Sequence, residues 1–192
     1  MTHRLVIAYA ANRLRLLPPD APRFHQTLRQ RIRGPYVIHV SRRWISVKAF
    51  THDRSMVAKA IEALGGDVLF IRTGEPPVCG SRLLDTYLGY LAANMFWEAH
   101  VAGEEVWRRA GLVGRAMAAA AGALAKTQEG LPEAAARLVE KAASFAAGAG
   151  AVLDVERGLE LVREVYREGW AHGVPEWLRP LAEAARADLG TP

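Results

Sequence analysis

The apolar positions change their period part-way along the chain. Up to about residue 74 they fall in short runs that suit strands, with two helical stretches between them. Arg4–Ala10 is a brief apolar run, and residues 21–33 follow Pro18-Pro19-Asp20 as a helix that ends at Gly34-Pro35. Tyr36–Ser41 and Trp44–Phe50 are rich in β-branched and aromatic residues on either side of Arg42-Arg43, which predicts a hairpin. Thr51 or Asp53 can cap a helix running to Leu64, where Gly65-Gly66 stops it, and Asp67–Thr73 is then a buried-type strand. The order is β-α-β-β-α-β, the ferredoxin-like arrangement. A turn at Ala11-Asn12 leaves room for an extra strand over Arg13–Leu17.

Beyond Ser81 the period is helical almost to the end. Helices are expected near 82–93, 95–110, 112–128, 131–147, 153–169 and 175–188, punctuated by Gly111, Gly130 with Pro132, Gly148–Gly150, and Gly173 with Pro175. The expected fold class is therefore α+β: a ferredoxin-like unit over 1–75, a Pro-rich linker over 76–81, and an all-α bundle of five to six helices over 82–192. Many core-facing positions of the bundle, Ala118–Ala121 and Ala134–Ala136 among them, are alanine, which lets helix axes approach closely.

Charge reinforces the division. Residues 1–78 carry thirteen Lys/Arg against five Asp/Glu, and residues 79–192 carry twelve against fifteen, so a basic unit precedes an acidic one within a chain of net charge +5. The lone cysteine, Cys79, excludes an intramolecular disulfide and a multi-cysteine zinc site. Met1-Thr2-His3-Arg4 leads into an apolar run broken by Asn12 and Arg13, unlike a signal peptide, and the alanine-rich stretches Ala116–Ala125 and Ala142–Leu153 are too short to span a bilayer. A cytoplasmic protein without a membrane segment is expected. Arginine outnumbers lysine 21 to 4 and there are only five Asn and Gln, a thermophile-like composition.

On a helical wheel Phe96, His100, Gly103 and Trp107 fall within about 60° of one another and predict the buried stripe of their helix, with Glu104 at its edge. Glu98, Glu105 and Arg109 point the other way. An aromatic pair, then Glu-Ala-His, then Glu and Trp on the next turns, is the signature of the domain-of-unknown-function 309 family. Phe96, Trp97, Glu98, Ala99, His100, Glu104 and Trp107 resemble it over residues of about 82–150. The resemblance implies a helical bundle of uncharacterised function. Val101 stands where the family carries an acidic residue, and Ala119 where polar side chains are common, so any polar pocket is reduced here.

His100 and Glu104, at i and i+4, can ligate a metal or pair as a base and its orienting partner. Two ligands are too few for a metal, so the first expectation is a buried histidine satisfied by Glu104, with no metal and no cofactor. The enzyme alternative is a metal-dependent hydrolase centred on His100, Glu104 and Glu98.

In the basic unit, a two-residue turn at Arg42-Arg43 would pair His39 with Ser46 and Val37 with Lys48. That places Ile38, Val40, Ile45 and Val47 on one sheet face, and His39, Trp44, Ser46, Lys48 and Phe50 on the other. The second face can stack unpaired bases while Arg31, Arg33, Arg42 and Arg43 hold phosphates. Packing against the acidic helices is the competing use of that face. The preferred functional expectation is a non-catalytic binding or adaptor protein, with RNA or another nucleic acid as partner of Arg31, Arg33, His39, Arg42, Arg43, Trp44 and Lys48. A structural or assembly protein acting through its helical surface, including as a homo-oligomer, is the remaining alternative.

Overall fold

The computed structural model describes residues 4–11, 21–40, 44–51, 53–63, 68–74 and 82–189. The expected extra strand at 13–17, the Arg42-Arg43 turn, the Gly65-Gly66 stop and the 76–81 linker with Cys79 lie outside these residues. The chain divides into two compact units, Met1–Pro76 and Pro77–Pro192, at the Pro-Pro pair. One holds an antiparallel sheet with two helices and the other is helical, so the chain is α+β.

In the first unit the elements run β1 (Arg4–Ala11), α1 (Ala21–Arg31), β2 (Tyr36–Val40), β3 (Trp44–Thr51), α2 (Arg54–Glu62) and β4 (Val68–Gly74). The strands lie in the order β2-β3-β1-β4, every neighbouring pair antiparallel. The β2–β3 register pairs His39 with Ser46 and Val37 with Lys48, as the alternation of side chains required. Val6, Ala8, Ala10, Ile38, Ile45, Val47 and Ala49 form one face and pack against Phe24, Leu28 and Ile32 of the first helical segment and Val57, Ala60 and Ile61 of α2. Phe24, Leu28 and Ile32 recur every four residues, the spacing that keeps one helical stripe on the sheet. Asp53 caps α2, its Oδ1 accepting from the N–H groups of Ser55 at 2.8 Å and Met56 at 3.3 Å and from the Ser55 hydroxyl at 2.7 Å.

In the second unit α3 (Leu83–Ala92) leads into α4 (Phe96–Gln128), followed by α5 (Pro132–Gly148), α6 (Val155–Glu168), the single turn α7 (Val174–Trp177) and α8 (Arg179–Asp188). α4 is not straight. Ala110 (φ −113°, ψ 22°) and Gly111 (φ 52°, ψ −126°) leave the helical region, and the positive φ at 111 is one that a side chain disfavours. The helix folds back there into two antiparallel arms, 96–109 and 112–128. A Cβ added at Gly114 would collide with the Trp107 backbone, and one at Gly103 would lie 2.9 Å from Cα of Ala118. Residues seven and fifteen apart in sequence meet only across such a reversal, since a straight helix rises 1.5 Å per residue.

The core of this unit gathers Leu84, Tyr87, Leu91, Phe96, Met117, Leu124, Val139, Leu161, Val165 and Leu181. The buried Tyr87 hydroxyl donates to the Met117 carbonyl at 2.9 Å, and burial pushes its pKa upward. Loops are tied by side chains: Asn94 Oδ1 accepts from the Ala171 N–H at 2.7 Å, Gln128 donates to the Gly169 carbonyl at 2.9 Å, and the Trp177 indole donates to the Asp154 carbonyl at 2.7 Å.

Two expectations about this unit are corrected. The last helix, expected unbroken over 175–188, is interrupted at Leu178 (φ −92°, ψ 2°). Pro180 supplies no N–H and its ring opposes the carbonyl four residues earlier, so α7 ends and α8 starts afresh with the proline in its first turn. Trp107, expected in the buried stripe, is 43% exposed. Its backbone is pressed onto Gly114, and the indole stands partly in solvent beside Arg115 of the other arm.

Replacing Gly114 by alanine forces a methyl group into backbone with no flexible neighbour to yield. The expected result is a loss of about 1–3 kcal/mol, read as a lower urea midpoint for the helical signal. For Asp53, the hydrogen bond from Ser55, then those from the Met56 and Ser55 amides, hold its carboxyl below the usual value of 3.8. A depressed folded pKa gives stabilisation that is present above the unfolded value and lost as pH falls through the folded one. Asp53→Ala is therefore expected to lower the urea midpoint at pH 7, with the difference from the parent protein shrinking as pH falls below that range.

Candidate functional site

The described side chains that carry candidate chemistry lie on the α4 hairpin and on the basic unit.

On the hairpin, His100 occupies a notch in the opposite arm. A Cβ at Gly122 would stand 3.2 Å from its Nδ1, so the glycine makes space for the ring. Nδ1 lies 2.9 Å from the Ala118 carbonyl oxygen, which can only accept, so Nδ1 carries the hydrogen and donates. Nε2 faces Glu104 Oε1 at 3.6 Å, too long for a good hydrogen bond. The His100 and Glu104 side chains are 27% and 46% exposed. This corrects the expectation of a buried histidine satisfied by Glu104: the ring is only partly buried, and its close partner is a backbone oxygen on the other arm. The i,i+4 spacing located Glu104, but a main-chain acceptor eighteen residues away leaves no mark in the local pattern.

The Trp97 indole meets the His100 imidazole edge-on with centroids 5.9 Å apart, and the Lys126 ammonium lies 5.4 Å from the Trp97 ring centre. Lys126 also pairs with Glu129 at 2.7 Å. Glu98 is half-buried and Phe96 fully buried. On the outer side Glu105 accepts from Arg108 at 2.6 Å and Arg109 at 3.0 Å, which holds its carboxyl below the usual range. At the hairpin end the Arg115 guanidinium lies 5.2 Å from the Trp107 ring centre and 4.3 Å from that of Phe145. Gly122, Lys126 and Arg115 were not among the residues singled out from sequence. They reach the motif only through the chain reversal.

Among the described residues no three His, Cys, Asp or Glu side chains stand close enough to share a metal ion. His100, Glu104 and Glu98 thus form no ligand set for the hydrolase alternative, and Nδ1 of His100 is already engaged.

In the basic unit Arg31 and Arg33 are exposed and His39 is half-buried. Arg42, Arg43 and the Trp44 side chain lie outside the described residues, although the Trp44 backbone opens β3. Lys48 is completely buried, and Ile7 and Ser46 on the same sheet face are buried with it. Lys48 is therefore withdrawn as a phosphate-binding residue, and the middle of that face offers no open platform to a base. Alternation shows which side chains share a face but not whether the face is covered. Exposed basic groups lie instead along α1, where His25, Gln26, Arg29 and Gln30 line an open groove of about 520 Å³. On α1, Gln26 and Gln30 stand opposite Phe24 and Leu28 while His25 and Arg29 flank that stripe, so the same four-residue spacing that identifies the core could have located them.

Comparison with protein-family models, with curated proteins and with solved structures finds no match for the chain. Among the described residues no helix is long and apolar enough to cross a membrane.

The geometry at His100 separates its two neighbours by their energetic roles. His100→Ala removes a donor held at 2.9 Å and its packing, and is expected to cost at least about 0.5–1.5 kcal/mol in urea unfolding. Glu104→Gln alters a half-exposed pair at 3.6 Å and should shift stability by less than about 0.5 kcal/mol. Equal losses for the two variants would mean that the carboxylate is the main support of the ring.

Proposed function

We propose that this protein is a non-catalytic binding protein whose basic N-terminal unit engages a polyanion, with RNA as the favoured partner. The observation that carries this reading is the one-sided charge of the unit. Between Asp20 and Asp53 there is no acidic residue, while Arg23, Arg29, Arg31, Arg33, Arg42, Arg43 and Lys48 fall in that interval. Of these, Arg29, Arg31 and Arg33 are exposed on or just beyond α1. Clustered arginines release counterions from a phosphate backbone on binding, and their planar donors match phosphate oxygens.

In this reading the first unit is ferredoxin-like, supported by the β-α-β-β-α-β order with strand order β2-β3-β1-β4. Such a unit commonly reads RNA from its open sheet face, whereas here α1 is the better surface because Ile7, Ser46 and Lys48 are buried. The helical unit is proposed to belong with the domain-of-unknown-function 309 family on the residues Phe96, Trp97, Glu98, His100, Glu104 and Trp107. His100 then acts in packing the hairpin, which its bond to the Ala118 carbonyl supports.

Titration of a fluorescent single-stranded RNA should give binding that weakens steeply with salt. Replacing Arg29, Arg31 and Arg33 together by alanine should weaken it and flatten the slope of log K against log salt by about 2, from three phosphate contacts at about 0.7 each. No binding at low salt overturns the reading.

A further inference from the structure

The α1 groove contains a hydrogen-bond arrangement that goes beyond positive charge. The Tyr36 hydroxyl donates its only hydrogen to the backbone carbonyl of His25 at 3.0 Å. The same phenol oxygen lies 3.3 Å from Nδ1 of His25 and has only lone pairs left to offer it. Nδ1 therefore carries the hydrogen, and in the neutral ring Nε2 is a bare acceptor. The Tyr36 ring, 5.7 Å from the imidazole and tilted by 32°, braces it from the side.

His25 and Arg29 are one helical turn apart and line the same groove, with Gln26 and Gln30 beside them. The guanidinium supplies donors and no acceptor, while the imidazole supplies an acceptor. A partner that suits both presents a phosphate oxygen next to a hydroxyl that can donate. A ribonucleotide does so through its 2′-hydroxyl, and a deoxyribonucleotide lacks that group.

We propose that the α1 groove selects RNA over DNA, with Arg29 holding a phosphodiester and Nε2 of His25 accepting a hydrogen bond from the adjacent 2′-hydroxyl. This rests on the polyanion-binding reading of the basic unit and adds the feature that distinguishes one nucleic acid from the other. Tyr36 is a positioning residue: it touches no nucleotide and acts by keeping the hydrogen on Nδ1.

The test uses the full chain and one single-stranded sequence made as RNA, as uridine-containing DNA and as 2′-O-methyl RNA. Affinities are measured by fluorescence anisotropy at low salt and pH 8. RNA is expected to bind roughly three- to tenfold more tightly than DNA, the worth of one net hydrogen bond, and 2′-O-methyl RNA should bind like DNA because its oxygen cannot donate. His25→Phe should bring RNA down to the affinity of DNA. Tyr36→Phe, which keeps the ring and removes the acceptor of Nδ1, should lower the RNA:DNA ratio, and Arg29→Ala should weaken RNA and DNA by the same factor. Circular dichroism of each variant checks that the unit is folded. Equal affinity of the parent protein for RNA and DNA, or an undiminished preference in both folded His25→Phe and Tyr36→Phe, overturns the role of His25 while leaving polyanion binding intact. Binding to none of the three overturns both.

Discussion

The helical unit depends on how closely the two arms of α4 approach one another. Gly103 against Ala118, and Gly114 against Trp107, bring main chain onto main chain with no room for a further carbon. Such contact requires small residues on the facing stripe and a reversal too tight for an ordinary loop, and Gly111 provides the backbone angles for it. The rest follows from the contact. Tyr87, packed beside Gly103, finds the Met117 carbonyl for its hydroxyl, and the Trp107 indole is turned outward beside Arg115. His100 enters the opening left by Gly122 and bonds the Ala118 carbonyl.

That arrangement changes the meaning of the Phe96–Trp107 motif. A histidine and a carboxylate one turn apart resemble the start of a metal or acid–base site, but here the imidazole spends its Nδ1 hydrogen on a main-chain oxygen of the facing arm. Glu104 is half-exposed and Trp97 is shared between His100 and Lys126. The group reads as a fitted joint between helices. Its residues stand in a pattern that suggests chemistry because ring, notch and carbonyl must coincide for the arms to meet.

The basic unit distributes its side chains differently. One sheet face is filled by α1 and α2, and the middle of the other is buried at Ile7, Ser46 and Lys48. Among the described residues, exposed positive charge lies on the helical side, at Arg29, Arg31 and Arg33 among others. The proposed function follows this distribution: arginines supply attraction without sequence or sugar selectivity, and the fixed acceptor at His25 supplies a basis for selectivity.

The sequence by itself determined most of what is local. The β-α-β-β-α-β order, the pairing of His39 with Ser46 and Val37 with Lys48, the Asp53 cap and the break at Gly111 all follow from neighbours within a few residues, because strand alternation, helix periodicity and capping are short-range hydrogen-bond and steric effects. The candidate site was legible to the same depth. His100 with Glu104, and Arg31 with Arg33, are visible as spacings, whereas Ala118 and Gly122 at the imidazole, and Lys126 over Trp97, are not. Only the tertiary structure decided that Trp107 is exposed, that Lys48 is buried and that His100 bonds a backbone oxygen. Each of these depends on what lies opposite a surface, and residues distant along the chain supply that without altering the periodicity of the segment they cover.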